Sequence, residues 1–105
     1  MKSIIAGKTY NTDTATLICD ISNGWKYHGN RNNHNIEEGA LYVTKKGDYF
    51  LAGGGGPHSR FAKIVGTQKH WGRKIITLSE DEAMDEAESN ASFKTLREFF
   101  GEHLS

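Results

Sequence analysis

Few residues of this chain have the types and spacing that catalysis requires. Cys19 is its one cysteine, and with one of the five histidines it could form a nucleophile pair. Cys19 alternates with Leu17 and Ile21, however, and a cysteine in such an apolar alternation is typical of a small buried hydrophobe. We therefore predict that the chain has no catalytic residues and is not an enzyme.

The histidines could instead act as metal ligands, and they are His28, His34, His58, His70 and His103. No two of them have the i, i+4 spacing of a helical zinc site, and Cys19 has no neighbouring ligand. We expect solvated or hydrogen-bonded histidines, with no metal site and no other cofactor.

The glycine run at residues 53–56, followed by Pro57 and His58, is the most prominent local motif. Glycines let a backbone approach a phosphate or another chain closely. The phosphate-loop string Gly-x4-Gly-Lys-Ser/Thr is missing, and Pro57 and His58 disrupt the register of a dinucleotide fingerprint. We favour a structural turn or bulge that ends the preceding strand. A close-contact binding loop is the alternative, and nucleotide binding is a third interpretation.

Basic and aromatic side chains alternate in the middle of the chain, a composition typical of nucleic-acid binding. Cations neutralise phosphates, and exposed rings stack on unpaired bases. The set comprises Lys45, Lys46, Arg60, Lys63, Lys69, Arg73 and Lys74, interleaved with Tyr42, Phe61, His70 and Trp71. Two alternatives stay open, namely that acidic helices cover this segment or that it is an ordinary solvated face.

Charge is sorted along the chain although the total is zero. Residues 40–78 carry seven basic and one acidic side chain, a net of +6. Residues 79–105 carry two basic and eight acidic side chains, a net of −6. Either the two segments face each other in the fold, or one of them presents its charge to a partner.

Large amphipathic and basic side chains supply the candidate interface residues, because Trp, Tyr and Arg dominate binding hot spots. Residues 22–35 are rich in Asn and Gly and predict a long loop that carries two of these rings. The candidates are Trp25, Tyr27, Tyr42, Lys45, Lys46, His58, Arg60, Lys63, Trp71 and Arg73.

Length and composition indicate one α+β domain over residues 1–105. No apolar run is long enough to span a membrane, and the first residues are too short an apolar stretch for a signal peptide. A single cysteine suits a reducing compartment. We expect a cytoplasmic protein without membrane partners.

The strand predictions rest on β-branched runs and turn residues. We expect a first strand at residues 4–6, a strand within residues 12–21 (a short helix being the alternative), and a strand at residues 74–78. Residues 40–44 and 49–52 predict a β-hairpin whose turn needs the positive φ that Gly47 allows. The basic stretch between residue 57 and residue 73 is expected to be irregular.

Two helices are expected after the last strand. Ser79 and Glu82 form a capping box for a helix ending near Glu88, and the acidic residues around them fit helix capping without acid–base chemistry. Ser92 caps a second helix with Phe93, Leu96 and Phe100 on its inner face. The predicted fold is α+β: a small antiparallel sheet of three to four strands with a central hairpin, and two C-terminal helices packed on one side.

Several blocks together resemble a family of short bacterial proteins often carried on phages, plasmids and related mobile elements. The blocks are residues 8–15, 41–51, 53–56, 59–62 and 75–83. Family members have a Trp in the penultimate helix where this chain has Glu86, and an acidic residue within the glycine run. The resemblance implies no activity and no functional residue.

Genes of this size on mobile elements often encode accessory factors that bind host machinery, including anti-CRISPR inhibitors. The resemblance therefore adds to a prediction that the residues already favour, a non-catalytic module that binds a protein partner. The alternative prediction is nucleic-acid binding through the basic segment, residues 45–74.

Overall fold

The computed structural model describes residues 1–23 and 33–101. It has an α+β fold in which a four-stranded antiparallel sheet of order β3-β4-β5-β8 lies beside two small hairpins, β1–β2 and β6–β7, and two C-terminal helices. The strands are β1 Lys2–Ile5, β2 Lys8–Asn11, β3 Thr16–Ser22, β4 Glu37–Val43, β5 Tyr49–Gly55, β6 Lys63–Val65, β7 Gln68–His70 and β8 Gly72–Leu78. The helices are α1 Glu80–Asn90 and α2 Phe93–Phe100. Within these described residues, neither helix has the length and apolarity needed to cross a bilayer.

The central β4–β5 hairpin is confirmed, and its turn has the predicted chemistry. Gly47 has a φ of 91°, and its N–H donates to the Thr44 carbonyl. The Thr44 N–H in turn donates to the Asp48 carbonyl, so the loop is a turn followed by a left-handed glycine bulge.

The prediction that residues 53–56 end the ladder is wrong. Gly53, Gly54 and Gly55 are the last three residues of β5, and they pair with β4 on one side and with β8 on the other. Their lack of a Cβ serves close packing, because a Cβ on Gly53 would lie 2.7 Å from the Cα of Gly39 on β4. Tertiary pairing therefore overrides the low strand propensity of glycine.

The main core lies between the sheet and the helices. Leu41 and Leu51 are fully buried on this face, together with Phe61 from the loop after β5 and Phe100 from α2. Ala83 and Ala87 bring α1 close to the sheet. Alternation along the strands sends the neighbouring residues to the opposite face.

The opposite face of the sheet has a smaller core under the β1–β2 hairpin. Tyr10 packs edge-on against Phe50 with ring centroids 5.4 Å apart, and Tyr42 stacks on the same ring at 5.2 Å. The sequence pattern predicted β1 near its observed place but missed β2. The turn between β1 and β2 places Ala6 and Gly7 at φ values of 51° and 78°, as a type I′ turn requires.

The two helices follow the predicted caps. The Ser79 side chain accepts from the Glu82 N–H, and the Glu82 side chain accepts from the Ser79 N–H. These two bonds lower the pKa of Glu82 below its ordinary value. The expected inward position of Phe93 is wrong, because this side chain is 68% exposed at the first turn of α2.

The basic stretch expected to be irregular contains the hairpin β6–β7. Val65 pairs with Gln68 across a two-residue turn in which Gly66 has a φ of 61°. Glycine with positive φ at the first central position suits a type II′ turn, whose twist matches that of the strands. Every residue from Lys63 to Trp71 is exposed, so this hairpin projects from the sheet.

Candidate recognition surface

One row of residues crosses the end of the sheet on the face away from the helices. Glu38 of β4 pairs in register with Gly54 of β5, which pairs in register with Arg73 of β8. Partners directly opposite each other share a face, so the Glu38 and Arg73 side chains rise on either side of a glycine. The row lies beyond the region that the β1–β2 hairpin covers.

This row is part of a groove of about 470 Å³. Its walls and floor are formed by Ile36, Glu38, Gly54, Gly55, Trp71, Gly72 and Arg73. We call this feature the groove. A cleft of this volume is in the size range of small-molecule sites.

Gly54 determines how Arg73 lies in the groove. A Cβ on Gly54 would be 2.8 Å from the Arg73 Cγ and 3.4 Å from its Nη1, so the Arg73 side chain lies over the space that a side chain would fill. Neither Glu38 nor Arg73 forms an ion pair within the described part of the chain. Both Glu38 and Arg73 are exposed.

Trp71 forms one wall of the groove and is 48% exposed. Its ring meets the His34 ring edge-on at 6.3 Å, and His34 meets the His58 ring edge-on at 5.6 Å. The His58 N–H also donates to the His34 carbonyl at 2.9 Å. Aromatic packing from the loop before β4 thus supports Trp71 while leaving half of its surface open.

The β6–β7 hairpin adds one exposed apolar side chain on each of its two faces, next to the groove. Ile64 is 65% exposed and Val65 is 53% exposed, although both are strand residues. Lys63, Lys69 and His70 on the same hairpin are exposed as well. We call the hairpin, Trp71 and the groove together the recognition surface.

The cations predicted to act together lie at opposite ends of the sheet. Lys45 and Lys46 occupy the β4–β5 turn, beyond the Val43–Tyr49 pair. The recognition surface begins at the Gly54–Arg73 pair, which lies five residues further along β5 than Tyr49, about 17 Å away. Residues 45–74 therefore do not form one continuous basic face.

Arg60 joins three parts of the fold, and its guanidinium is engaged in ion pairs although the residue is exposed. Its guanidinium pairs with Glu86 of α1 through two nitrogens, and its Nε lies 3.3 Å from Glu37 of β4. The Arg60 backbone N–H also donates to Glu37. We call this arrangement the clasp.

Electrostatics in the clasp favour the charged form of Arg60. Partial burial acts to lower the pKa of its guanidinium, but the hydrogen bonds and charges of Glu86 and Glu37 outweigh this effect and leave the pKa raised. The other central cations form no ion pair among the described residues. They are Lys45, Lys46, Lys63, Lys69, Arg73 and Lys74. Among the described ion pairs, the one made by a helix with a central cation joins Glu86 to Arg60.

The remaining predicted interface residues differ in how far they are exposed to solvent. His58 is exposed beside Trp71, whereas Tyr42 is half-buried against Phe50 in the smaller core. Trp25 and Tyr27 lie outside the described residues.

Cys19 is half-buried against the main core. Burial raises the pKa of its thiol, and the charges of Asp20 and Glu86 act in the same direction. A thiol in this environment is a poor nucleophile at neutral pH. No group of three or more His, Cys, Asp or Glu side chains close enough to hold a metal ion occurs in residues 1–23 and 33–101.

Sequence reasoning missed Glu38, Ile64 and Val65. Glu38 joins Arg73 only through the pairing of β4 with β5 and of β5 with β8, which are long-range contacts. Gly66 was the available signal for the hairpin, since it lies between a β-branched pair and a polar strand. Comparison with protein-family models, curated proteins and solved structures gives no match for this chain.

Proposed function

We propose that this chain is a non-catalytic binding module that contacts a protein partner through the recognition surface. The observation that carries the proposal is the exposure of Ile64, Val65 and Trp71, at 65%, 53% and 48%, within eight consecutive residues. Ile64 and Val65 are consecutive strand residues and project from opposite faces of the hairpin, so a partner that encloses the hairpin buries both.

The geometry of the hairpin suits a contact element. A two-residue turn and three paired positions hold the strands in one arrangement, so association orders few backbone dihedrals. Lys63 and Lys69 lie on the same hairpin and Arg73 on the adjoining strand β8, and none of them forms an ion pair among the described residues. They favour a partner with carboxylates at the rim of an apolar cleft.

The resemblance to proteins of mobile elements suggests the class of partner. We propose a component of host machinery, with the chain acting as an accessory factor or an inhibitor, as anti-CRISPR proteins do. The support for this step is the sequence blocks that carry the resemblance, together with an exposed surface that can occupy a site on another protein.

A charge placed in the hairpin tests the protein-binding proposal. Ile64→Asp puts a carboxylate within the apolar contact, so we expect at least about a tenfold loss of binding. The matched control is Ile4→Asp, because Ile4 is 70% exposed on the other small hairpin. Pull-down from host lysate with the wild type and both variants as baits measures the effect.

The expected result is one stoichiometric partner recovered by the wild type and by Ile4→Asp but not by Ile64→Asp. Recovery of no stoichiometric partner, or equal recovery by both variants, contradicts the proposal. Thermal unfolding of the baits shows whether each variant is folded.

Nucleic-acid binding is the second candidate function. It is favoured by Lys63, Lys69 and Arg73, which form no ion pair among the described residues and lie beside a half-exposed indole. Cations bind phosphates and the ring stacks on an unpaired base. Neutralising three phosphates of a single strand predicts a slope of roughly −2 for the logarithm of affinity against the logarithm of salt concentration.

Because the cations lie at two ends of the sheet, substitutions at each end can test nucleic-acid binding through the recognition surface. Lys63→Gln with Lys69→Gln removes two phosphate contacts to a single strand, so we expect the salt slope to become less steep by about 1.4. The control exchanges Lys45 and Lys46 for Gln at the other end of the sheet and leaves the slope unchanged. Gel shift at several salt concentrations measures both slopes. Absence of any complex at low salt, or equal effects of the two exchanges, contradicts nucleic-acid binding through this surface.

A further inference from the structure

The four-stranded sheet has two edge strands, and they differ in regularity. β3 forms one edge, and its ladder with β4 is interrupted by a bulge between Leu17 and Cys19. β8 forms the other edge and pairs with β5 at seven consecutive positions without a register shift. A long regular edge presents a row of backbone groups to which another strand can pair, and a bulge is one device that prevents such pairing. β8 is therefore the edge that suits the addition of a strand.

The backbone groups of Arg73, Ile75 and Thr77 face away from β5. The Gly56 N–H donates to the Ile36 carbonyl, so the residues of β5 that bond to β4 are the alternate positions 50, 52 and 54. The remaining positions of β5 bond to β8, where their partners are residues 72, 74, 76 and 78. The N–H and C=O groups of the three intervening residues have no hydrogen-bond partner within residues 1–23 and 33–101.

The β8 edge also offers apolar side chains on both faces of the sheet. Ile75 packs against the smaller core, and Ile76 and Leu78 pack against the main core. Each of the three is half-buried. A strand added beside β8 would remove more of their apolar surface from water.

A second copy of β8 fits this edge in one antiparallel register. Pairing about Ile75 places Ile75 opposite Ile75 of the second copy, and Arg73 opposite Thr77 of the second copy. The three outward-facing residues then form three hydrogen-bonded pairs, whereas a shift of two residues leaves two such pairs within β8. No two like charges lie directly opposite each other in this register.

The order of charges along the chain favours the same antiparallel arrangement. Arg73 and Lys74 lie at the start of β8 and form no ion pair among the described residues. The end of β8 is followed by the acidic first turn of α1, which comprises Glu80, Asp81 and Glu82. In an antiparallel pair the start of each strand lies beside the end of the other. The basic start of one copy therefore adjoins the acidic turn of the other, and this charge complementarity favours a second copy as the added strand.

We propose that two copies of this chain associate through β8, which joins two four-stranded sheets into one antiparallel sheet of eight strands. The two-fold axis passes between the two Ile75 residues, and both copies contribute the same surface. This association goes beyond the proposed function and needs no other partner.

The dependence of molar mass on concentration tests the association. Sedimentation equilibrium of the wild type between about 1 μM and about 1 mM is expected to show a monomer–dimer equilibrium, since a single pair of strands is a small interface. A monomer over the whole range overturns the proposal.

A proline on the outward edge separates association from folding. The Thr77 N–H faces the second copy, so Thr77→Pro removes a donor from the interface and none from the ladder with β5. Two-fold symmetry doubles the loss to two hydrogen bonds, so dimerisation is expected to weaken at least about tenfold. The matched control, Thr77→Val, keeps the N–H and should associate as the wild type does. Equal association of the two variants overturns pairing through β8.

Single cysteines introduced on a Cys19→Ser background test the register, and they decide the question even if Thr77→Pro does not fold. The Cα atoms of a directly opposite hydrogen-bonded pair lie about 5.5 Å apart, within the range of a disulfide. Ile75→Cys is therefore expected to form an intermolecular disulfide under a mild oxidant. Thr77→Cys is not, because the two copies of residue 77 lie four positions apart along the strands, about 13 Å.

Non-reducing gel electrophoresis measures the cross-linked fraction of both cysteine variants. Cross-linking at residue 75 and not at residue 77 supports the two-fold register. Absence of cross-linking at residue 75, or equal cross-linking at the two positions, overturns it. Circular dichroism and thermal unfolding show whether each variant is folded.

Discussion

At the scale of single residues, consecutive glycines of β5 have different roles. Gly53 meets the backbone of β4, where neither partner can move without disturbing the sheet. Gly54 meets the Arg73 side chain at 2.8 Å and the Gly72 carbonyl at 3.0 Å, and the side chain can turn away. Gly53 is therefore required for strand packing, whereas Gly54 determines the shape of the groove.

Alanine at these two positions is expected to have unequal effects on the free energy of unfolding. Gly53→Ala forces a Cβ against the Gly39 Cα and should destabilise the fold by about 2–3 kcal/mol, the upper range for overpacking. Gly54→Ala should cost below about 1 kcal/mol, because Arg73 can change rotamer. Urea unfolding of both variants measures the difference, and equal losses would show that the two contacts do not differ in rigidity.

At the scale of elements, each small hairpin has a tight two-residue turn. β1–β2 has a type I′ turn whose first central residue is Ala6, with a φ of 51°. An L-residue with a Cβ is strained in the left-handed region by about 1–2 kcal/mol, and Asn is tolerated there more easily. The turn thus stores strain at an exposed position that makes no packing contact with either core.

Ala6→Asn is therefore expected to stabilise the protein by about 0.5–1 kcal/mol and to raise its Tm by several degrees. Ala6→Val is the opposite control, since a β-branched residue is still less suited to positive φ and should lower the Tm. Differential scanning calorimetry of the two variants checks the sign, and a lower Tm for Ala6→Asn contradicts the turn assignment.

Elements defined by local patterns were predicted from the sequence, and those defined by pairing were not. The β4–β5 hairpin and the capping box depend on residues near one another, such as Gly47, Ser79 and Glu82. The hairpin β6–β7 has no apolar face against the core, so alternation gave no signal for it. Phe93 matches the helical period, but at the first turn of α2 it lies beyond the reach of the core.

At the scale of the whole molecule, the clasp ties the loop after β5 to both the sheet and α1. Arg60 meets Glu37 and Glu86, and its side chain is 37% exposed. Solvent therefore screens part of the attraction, which lies between that of a surface pair and that of a buried pair. The separation of basic and acidic residues along the sequence predicted that an ion pair between the two segments could form. It did not indicate which cation would form it.

Arg60→Gln is expected to lower the free energy of unfolding by about 1–2 kcal/mol, because two carboxylates then face each other without a cation. The control is Arg97→Gln, an exposed arginine of α2 that has no ion pair within the described residues. Urea unfolding at neutral pH compares the two variants. A loss for Arg60→Gln no larger than that of the control would show that the clasp contributes no stability.

The hairpin β6–β7 can change in sequence without affecting the interior of the protein. Its residues are exposed and its strands pair only with each other, so none of its side chains fills either core. Changes of identity or length between residues 63 and 70 can therefore accumulate without a compensating change in the interior. A ribbon of this kind can be exchanged for another as a unit, and a single scaffold could then acquire new targets by replacing one short segment.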